Sequence, residues 1–515
     1  MEITTKHQLD ALFEHCKNGI CPGAQVLIRQ SGKTIYEECF GYANLENKVK
    51  ITKDSIFHVA SISKQFTVLA ILLLWKAGKL DLEDKISDYV EDIVHIEQPI
   101  TIHQMINNVS GLRDQWELLF LRGITITDAI SMEDVNTSIR LQTGLNFPPQ
   151  SDYLYSNTGF HLLAVIVERV SGVSFPRFVK EHIFEPLGMH HTFIRESYTQ
   201  IVPNLVYSYQ DDGDGNYYYA PLNYSLYGPT AVNTCASDLI RMLDEYISPK
   251  VIDPEIINFM KTPARLTNGS EIEYCGGLMT HKLYDLTVYG HGGADAAYRG
   301  QVSCIPEKEL EIIILCNTTG RLVSKLAKKA ACIILGLPDC TEPELPKETF
   351  CSARIGLFLT PAAEEDKLFV RITEENGVFY IQKEFCRTPL IAMPDGGYRI
   401  NTLDEMIYFT DNGLKYRLPN RIVTLAPVEP AVCKEFKTGH YYNAETDAHL
   451  YLEAHGQDLS VRMLRYGSTP LYRGVDGTLA FSFGPDLCMY VTHEEGRLIL
   501  DGYRVRGLSF QLITE

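Results

Sequence analysis

The order of strand-like and helix-like segments in the first two thirds of the chain is the feature that most constrains its fold. Residues 24–29 and 34–39 flank the turn pair Ser31-Gly32, which indicates the two strands of a hairpin. Helical and loop patterns follow. Strand patterns return near residues 284–317, where the nearly continuous apolar run 310–316 indicates a buried strand. This order predicts a central antiparallel sheet with a separate helical lobe, an α/β (α+β) fold.

The last third of the chain is a tandem repeat. A linker rich in Pro and Glu occupies residues 338–346, and beyond it Thr388-Pro389-Leu390 recurs as Thr469-Pro470-Leu471. Each repeat holds about 80 residues of short alternating strands separated by turn formers, which is typical of small all-β domains. We therefore predict three domains, at residues 1–337, 347–427 and 430–515, the last two being small antiparallel β-barrels.

Ser61 and Lys64 form the only Ser-x-x-Lys pattern in the chain, at the start of an apolar helical run. A step of three residues on a helix places both side chains on one face, so an amine can lie beside a hydroxyl. A serine needs a neighbouring base to act as a nucleophile, and a desolvated lysine can supply that base. The alternative is a serine near a helix N-cap with a solvated lysine in the first turn.

Two later segments carry further candidate residues. Tyr155-Ser156-Asn157 lies in a loop of turn formers before a helical run, and His291-Gly292-Gly293 follows the strand-like residues 286–289. Glycines at these positions let a substrate lie against the strand backbone without side-chain interference. Both segments also have a plain structural explanation, with Tyr155 as a core aromatic and His291 as a turn residue at a strand end.

In this order and spacing, the three motifs resemble those of the penicillin-recognising serine hydrolases, which include class C β-lactamases, DD-peptidases, family VIII esterases and D-aminopeptidases. Class A enzymes carry the related triplet Ser-x-x-Lys, Ser-Asp-Asn and Lys-Thr-Gly, whereas this chain has the Tyr-x-Asn and His-x-Gly forms. Residues 108–114, 155–172 and 185–189 also look like the framework of that family. The resemblance implies a serine β-lactamase-like first domain, and the two barrels resemble the layout of three-domain D-aminopeptidases.

The resemblance also implies a role for each motif residue. Ser61 would be the acyl-forming nucleophile, with Lys64 as its proton partner. Tyr155 would relay the proton to the leaving group, and Asn157 would hold Lys64 and a substrate carbonyl. The backbone N–H groups of Ser61 and Ala294 would form the oxyanion hole. Whether Lys64 or Tyr155 is the general base stays open, because paired groups of this kind titrate as a unit.

His291 and Asp476 bear on the choice of substrate. Many relatives carry Lys where His291 stands, and a mostly neutral His is less suited than Lys to an anionic carboxylate. In the three-domain D-aminopeptidases that this chain resembles, a loop of the last barrel reaches the active site and selects substrates with a free N-terminal amine. Asp476, in the Gly- and Tyr-containing segment 466–477, would pair with that ammonium. The alternative is that the barrels only stabilise the protein or mediate a homodimer.

Composition excludes several other classes of function. The chain has 515 residues, a net charge of −18 and a pI near 5.3, which disfavours binding to nucleic acid or to an anionic membrane surface. No apolar leader opens the sequence, no apolar run approaches the length of a membrane span, and thirteen cysteines lack zinc-type spacing. We therefore expect a cytoplasmic protein that needs no metal or cofactor.

Together these features predict a serine hydrolase that forms an acyl-enzyme and hydrolyses short peptides, amides or esters in the manner of a D-aminopeptidase. A carboxylesterase, or a β-lactamase or DD-peptidase of the same fold, is the alternative within the family. An alternative of another class is a non-catalytic binding or sensor protein that has kept the pocket.

Overall fold

The computed structural model divides the chain into two compact units. The first unit comprises Met1–Leu112, Ile126–Arg140 and Phe147–Cys340, and the second comprises Arg113–Thr125, Leu141–Asn146 and Thr341–Glu515. The structure describes residues 3–16, 19–211, 216–319, 323–338, 355–361, 368–375, 377–383, 386–393, 396–400, 406–410, 412–417, 422–432, 436–483, 487–494 and 496–513.

A seven-stranded antiparallel sheet forms the centre of the first unit, which confirms the sheet predicted from both ends of this region. Its strands are, in spatial order, Tyr274–Cys275, Leu278–Leu283, Leu286–Asp295, Tyr298–Ile305, Leu310–Cys316, Ala24–Gln30 and Lys33–Phe40. The hairpin at the N-terminal end turns at Ser31 and Gly32, whose φ angles of 49° and 72° suit a two-residue turn between twisted strands. The strand Leu310–Cys316 is buried along its whole length, as its apolar run predicts.

Two helices, one from the beginning and one from the end of the first unit, cover one face of this sheet. Helices Ile3–Ala11 and Val323–Leu335 pack onto the sheet and bury an apolar core beneath them. On the sheet, that core includes side chains of the N-terminal hairpin and of the strand Leu310–Cys316. Burying apolar area of this kind supplies the main driving force that holds the layers together.

The helical lobe is built around two helices that pack against each other, Lys64–Lys76 and Asn157–Ser171. The first ends where Gly78 adopts a left-handed φ of 67°, as a C-terminal glycine commonly does. None of the helices in the described part of the chain is both long and apolar enough to cross a membrane. The remaining helices of the first unit are Ser87–Val90, Ile102–Ile106, Met132–Arg140, Phe175–Val179, Ala236–Ile247 and Pro254–Met260, with 3-10 turns at Glu14–Cys16, Ala60–Ser63 and Pro306–Lys308 and a π turn at Lys180–Phe184.

Three small sheets complete the first unit. One contains Phe57–His58, Val232–Thr234 and Phe193–Ile194, and it places the segment that precedes Ser61 beside the lobe. The others pair Tyr42–Asn44 with Val49–Lys50 and Tyr209–Asp211 with Tyr217–Tyr219.

The second unit contains two antiparallel β-barrels, which confirms the predicted fold of the C-terminal region. The first barrel closes because Gly356–Leu359 pairs with both the next strand and Ile422–Pro430, and the second because Gly439–Asn443 pairs with both the next strand and Leu508–Leu512. The other strands of the first barrel are Phe369–Glu375, Val378–Lys383, Cys386–Ala392, Tyr398–Ile400, Met406–Thr410 and Gly413–Arg417. Those of the second are Ala448–His455, Asp458–Met463, Gly467–Pro470, Tyr472–Gly474, Leu479–Ser482, Cys488–Glu494 and Arg497–Asp501.

A short helix from earlier in the chain also belongs to the second unit. Helix Gln115–Leu121 contributes Leu118, Phe120 and Leu121 to the core of the second barrel. Asp114 caps this helix by accepting a hydrogen bond from the Trp116 N–H. The guanidinium of Arg504 lies 3.3 Å from the buried Asp114 carboxylate and 3.5 Å from that of Glu117. A buried ion cluster therefore accompanies the apolar contact.

Candidate active site

Ser61 lies in the 3-10 turn Ala60–Ser63, immediately before helix Lys64–Lys76. Ala60 has a φ of 48°, a left-handed conformation that is strained for a residue with a side chain. Strain of this kind persists only where the surrounding structure holds it, and it occurs often at functional sites. The turn leaves Ser61 half-buried, whereas its neighbours on both sides are buried.

The Lys64 side chain is fully buried and contacts three oxygen acceptors. Its Nζ lies 3.1 Å from Ser61 Oγ, 2.8 Å from Asn157 Oδ1 and 3.1 Å from the carbonyl oxygen of Pro229. These three oxygens occupy the three hydrogen-bonding positions of the Nζ, which an ammonium and a neutral amine both have. The structure thus joins Ser61, Lys64 and Asn157 in one hydrogen-bonded cluster, although ninety-three positions separate Lys64 from Asn157 in the sequence.

Tyr155 borders this cluster. The Nζ of Lys64 is 4.8 Å from the centre of the Tyr155 ring, and the ring of His291 is 6.1 Å away on another side. Tyr155 is half-buried as a residue, and its hydroxyl oxygen is buried. All three motifs therefore meet at one place in the first unit.

Asn108 holds the loop that carries Tyr155. Its carbonyl oxygen accepts a hydrogen bond from the Leu154 N–H at 3.1 Å, and its Oδ1 accepts one from the Ser156 N–H at 3.0 Å. Both backbone neighbours of Tyr155 are thus fixed by one residue. Asn108 has a φ of 57°, which asparagine tolerates better than most residues. In the sequence Asn108 stood out only as part of the family framework.

His291 lies inside strand Leu286–Asp295 and not after it, because the strand continues through the glycines. Its Nδ1 donates to the Gly292 carbonyl oxygen at 2.5 Å, which leaves Nε2 as an acceptor. Nε2 is buried and has no hydrogen-bond partner among the described residues. Burial, with a smaller contribution from the nearby Lys64 charge, lowers the pKa of His291 from 6.5 to about 4. The ring is therefore neutral at pH 7.

Gly293 allows the strand to approach the nucleophile-bearing segment. A Cβ at position 293 would lie 2.2 Å from the Val59 carbonyl oxygen, so no side chain fits there. A Cβ on Gly292 would lie 3.3 Å from Gln301 Oε1 and at an ordinary contact distance of 3.9 Å from the Gly300 carbonyl oxygen. Gly293 is thus required for packing, and Gly292 is the position with room beside it. Ala294 follows and is exposed.

A buried polar network ties the end of this strand to the segment before Ser61. His58 Nε2 lies 3.0 Å from Asp295 Oδ2, and the Tyr224 hydroxyl donates to the other oxygen of the same carboxylate. Asp295 directly follows Ala294, and His58 lies three residues before Ser61. The network therefore fixes the two backbone segments that carry the candidate oxyanion donors. The sequence motifs gave no sign of it.

Tyr274 is a further residue of the site that the sequence reading missed. Its ring contacts Tyr155 at 6.1 Å and His291 at 6.0 Å between ring centres, with interplanar angles of 76° and 88°. Edge-to-face contacts of this kind are favourable for aromatic rings and fix their orientation. Burial raises the pKa of the Tyr274 hydroxyl well above 10, so it stays protonated. In the sequence, nothing around Tyr274 marks it as a functional residue.

Asp476 lies in the second unit, in a turn that follows strand Tyr472–Gly474. Its Oδ1 accepts a hydrogen bond from the Thr478 N–H at 3.0 Å, and the side chain is exposed. In the second unit, therefore, Asp476 stabilises its own turn. Among the described residues of either unit, no three His, Cys, Asp or Glu side chains are placed to hold a metal ion together.

Known proteins are similar to this chain over most of its length. A model of the family described as Beta-lactamase matches residues 9–332. Penicillin-binding protein 4* of Bacillus subtilis (strain 168) is 28% identical over 401 residues, which cover 74% of this chain and 88% of that protein. A D-aminopeptidase of Brucella anthropi is 25% identical over 456 residues, which cover 87% of this chain and 84% of that protein.

Solved structures share the fold at lower identity. The octameric penicillin-binding protein homologue from Pyrococcus abyssi matches with a TM-score of 0.60 and 23% identity, over 82% of this chain and 100% of that chain. The D-amino acid amidase from Ochrobactrum anthropi SV3, complexed with L-phenylalanine amide, matches with a TM-score of 0.53 and 19% identity, over 65% of this chain and 99% of that chain.

Proposed function

We propose that this chain, which belongs to the beta-lactamase family, is a serine hydrolase that works through an acyl-enzyme on Ser61. The observation that carries the proposal is the buried Lys64 amine, 3.1 Å from Ser61 Oγ and 2.8 Å from Asn157 Oδ1. A positioned amine within hydrogen-bond distance of a serine hydroxyl is the arrangement that activates such a nucleophile. The structural alternative of a solvated lysine does not fit, because Lys64 is fully buried.

In the proposed reaction, Ser61 Oγ attacks the substrate carbonyl and loses its proton to the Lys64–Tyr155 pair. The same pair returns the proton to the leaving group, and water then hydrolyses the acyl-enzyme. The backbone N–H groups of Ser61 and Ala294 stabilise the oxyanion that forms in each half-reaction. The buried network around Asp295 supports this role, because it holds both segments in place before substrate binds.

The proposed substrate is a short peptide, amide or ester with a free amine, and D-aminopeptidase activity is our first choice. The likeness to D-aminopeptidases over most of the chain supports it. The neutral His291 also supports it, because this ring offers no permanent cation to a substrate carboxylate. Asp476 is the proposed partner of the substrate ammonium, since its exposed carboxylate lies on a turn of the second barrel.

A substrate panel on the purified protein tests the reaction class. D- and L-alanine p-nitroanilide, p-nitrophenyl acetate, a chromogenic cephalosporin and an acyl-D-Ala-D-Ala peptide are compared by kcat/KM. A fluorophosphonate should add one label, at Ser61, and Ser61→Ala should lose both the label and turnover. Ser63→Ala, in the same turn, should keep both. Labelling at another residue, or normal turnover by Ser61→Ala, would disprove the mechanism.

Amine selection has its own test. Asp476→Asn should lower kcat/KM for the aminoacyl anilide at least ten-fold and leave the acetate ester unchanged, because only the anilide carries an ammonium. Asp458→Asn is the matched control, since Asp458 is another exposed carboxylate of the same barrel. Equal effects of Asp476→Asn on both substrates would leave the barrel without a part in selection.

Penicillin-recognising peptidase or β-lactamase activity is the second candidate. The observation in its favour is the likeness to penicillin-binding protein 4*, which extends over 88% of that protein. Turnover of the acyl-D-Ala-D-Ala peptide or of the cephalosporin above that of the anilides would favour it, and turnover of the acetate ester alone would favour a carboxylesterase. A protein that takes up the fluorophosphonate label but turns over nothing in the panel would be a binding protein or sensor.

A further inference from the structure

The first unit contains a cavity that none of the candidate active-site residues lines. Its volume is about 570 Å³, within the range of roughly 300–1,000 Å³ that small-molecule sites occupy. Three segments build the wall: residues 43–55, residues 195–207 and residues 219–223, with Tyr298 at the back. All of these residues belong to the first unit, so the cavity is a property of that unit alone.

The wall of this cavity carries positive charge and no carboxylate. Arg195 and Lys50 line it, whereas no Asp or Glu does. The chain as a whole has a net charge of −18, with 65 acidic residues against 47 basic ones, so an acid-free wall with two cations is unexpected. A nearby acid, Glu46, accepts a hydrogen bond from the Tyr209 hydroxyl and lies outside the wall.

Arg195 has unused hydrogen-bonding capacity. Its Nη2 donates to two backbone carbonyls, those of Tyr198 and Gln200, which hold the side chain in place. Its Nε is buried without an acceptor, and no carboxylate pairs with the guanidinium among the described residues. The residue as a whole is half-buried, so its charge is partly desolvated and has no counter-ion among the described residues. Burial accordingly lowers the pKa of Arg195. An anion that enters the cavity would supply the missing charge.

Aromatic rings provide the rest of a binding surface. Tyr198, Tyr207, Tyr219 and Tyr298 all line the cavity, and the rings of Tyr207 and Tyr219 pack with their centres 5.3 Å apart. The Tyr298 hydroxyl is already used, because it donates to the Val206 carbonyl oxygen. Tyrosines present large apolar faces with a polar tip, which suits a flat ligand with one charged end.

We propose that this cavity binds a small organic anion with an aromatic ring, whose carboxylate pairs with the Arg195 guanidinium. The Nη1 group of Arg195, which makes no hydrogen bond to the described residues, would donate to the carboxylate, and a hydrogen bond between charged partners is stronger than one between neutral groups. Lys50 adds a second positive charge at greater exposure, and the tyrosines contact the ring. The site is separate from the proposed active site and does not depend on it.

Titration with 4-(trifluoromethyl)benzoate, followed by ¹⁹F NMR on the intact protein, tests the proposal. The neutral 4-(trifluoromethyl)benzamide has the same shape and should bind at least ten-fold more weakly. Arg195→Gln should weaken benzoate binding at least ten-fold, and the exposed Lys50→Gln about two-fold. Lys64→Met, which removes the cation of the candidate active site, should leave benzoate binding unchanged.

A second variant protects the test against misfolding, because Arg195 also holds two backbone carbonyls. Ala220→Trp adds bulk to the wall without touching either cation, and it should abolish binding of both probes while the thermal midpoint stays within a few degrees. The proposal is wrong if benzoate shows no saturable binding at millimolar concentration, if both probes bind equally, or if Lys64→Met removes binding. It is also wrong if a folded Ala220→Trp protein binds benzoate as the wild type does.

Discussion

The buried, neutral His291 makes a quantitative prediction about stability in acid. Above pH 6.5 the ring is neutral in both the folded and the unfolded chain. Between pH 6.5 and about 4 the unfolded chain binds a proton there and the folded chain does not, so stability falls as the pH falls. Below about pH 4 both states are protonated and the loss is complete. Lowering the pKa from 6.5 to about 4 corresponds to a loss of about 3 kcal/mol.

The variant His291→Gln should lack this loss, because glutamine does not titrate. Urea unfolding at a series of pH values measures it, and the wild type should lose about 3 kcal/mol more than the variant between pH 7 and pH 4. The chain has two tryptophans, Trp75 on the helix of Lys64 and Trp116 in the second unit. Trp116→Phe therefore leaves Trp75 as a fluorescence reporter of the first unit alone.

Two features separate this effect from other titrations. His161 is also buried, and its pKa is lowered to about 4, but its contribution is the same in wild type and variant and cancels in the difference. His190→Gln, at an exposed position, should behave as the wild type does. If His291→Gln and the wild type lose equal stability between pH 7 and pH 4, the assignment of a buried neutral ring is wrong.

Three further predictions follow from packing and charge. Gly293→Ala forces a Cβ to 2.2 Å from a backbone oxygen, so kcat/KM should fall on the order of 100-fold. Gly292→Ala is the matched control and should stay within about three-fold, since its nearest neighbour is a side-chain atom at 3.3 Å. Asn108→Gly keeps the left-handed backbone but removes the acceptor for the Ser156 N–H. We expect about 1 kcal/mol of lost stability and a ten-fold or larger fall in kcat with little change in KM. An unchanged kcat would contradict the role of Asn108 in holding the loop that carries Tyr155. Arg504→Met leaves two carboxylates buried without their cation, so the free energy of unfolding of the second unit should fall by about 3–5 kcal/mol. The fluorescence of Trp116 in a Trp75→Phe background measures this unfolding. A loss below about 1 kcal/mol would show that the cluster is hydrated.

Sequence reasoning located the elements whose periodicity is strong. The hairpin at residues 24–39, the buried strand at 310–316 and the two barrels were predicted from their patterns and turn residues, and the structure agrees. The sequence pattern predicts that the strand ends before His291, because consecutive glycines usually interrupt a strand. Here the strand continues, and its glycines permit close backbone approach. The pattern of residues along a chain indicates local conformation well. It does not indicate which distant backbone segment will pack against a given residue.

The residues that support the candidate site were hidden from the sequence for the same reason. His58, Asp295 and Tyr274 act through contacts with segments far away in the chain, and each is an unremarkable residue in its local context. Asn108 belongs to the recognised family framework, but its hydrogen bonds to the Tyr155 loop are not evident from the sequence. The motif residues, by contrast, were identifiable because their chemistry requires particular residue types in a fixed order. Residues that hold the motif residues in place can be identified only when their hydrogen bonds and ring contacts are known.

The placement of helix Gln115–Leu121 has a consequence for how the chain is made. Its apolar side chains Leu118, Phe120 and Leu121 complete a core whose other members extend to Phe510. Almost four hundred residues must be synthesised before the last partner appears, which takes on the order of 20–80 seconds at the usual rate of translation. Throughout that time the helix has no core to enter, and its apolar face is available to chaperones and to other nascent chains. Completion of this core therefore waits for the last residues of the unit, and a change in translation rate would change how long this face stays uncovered.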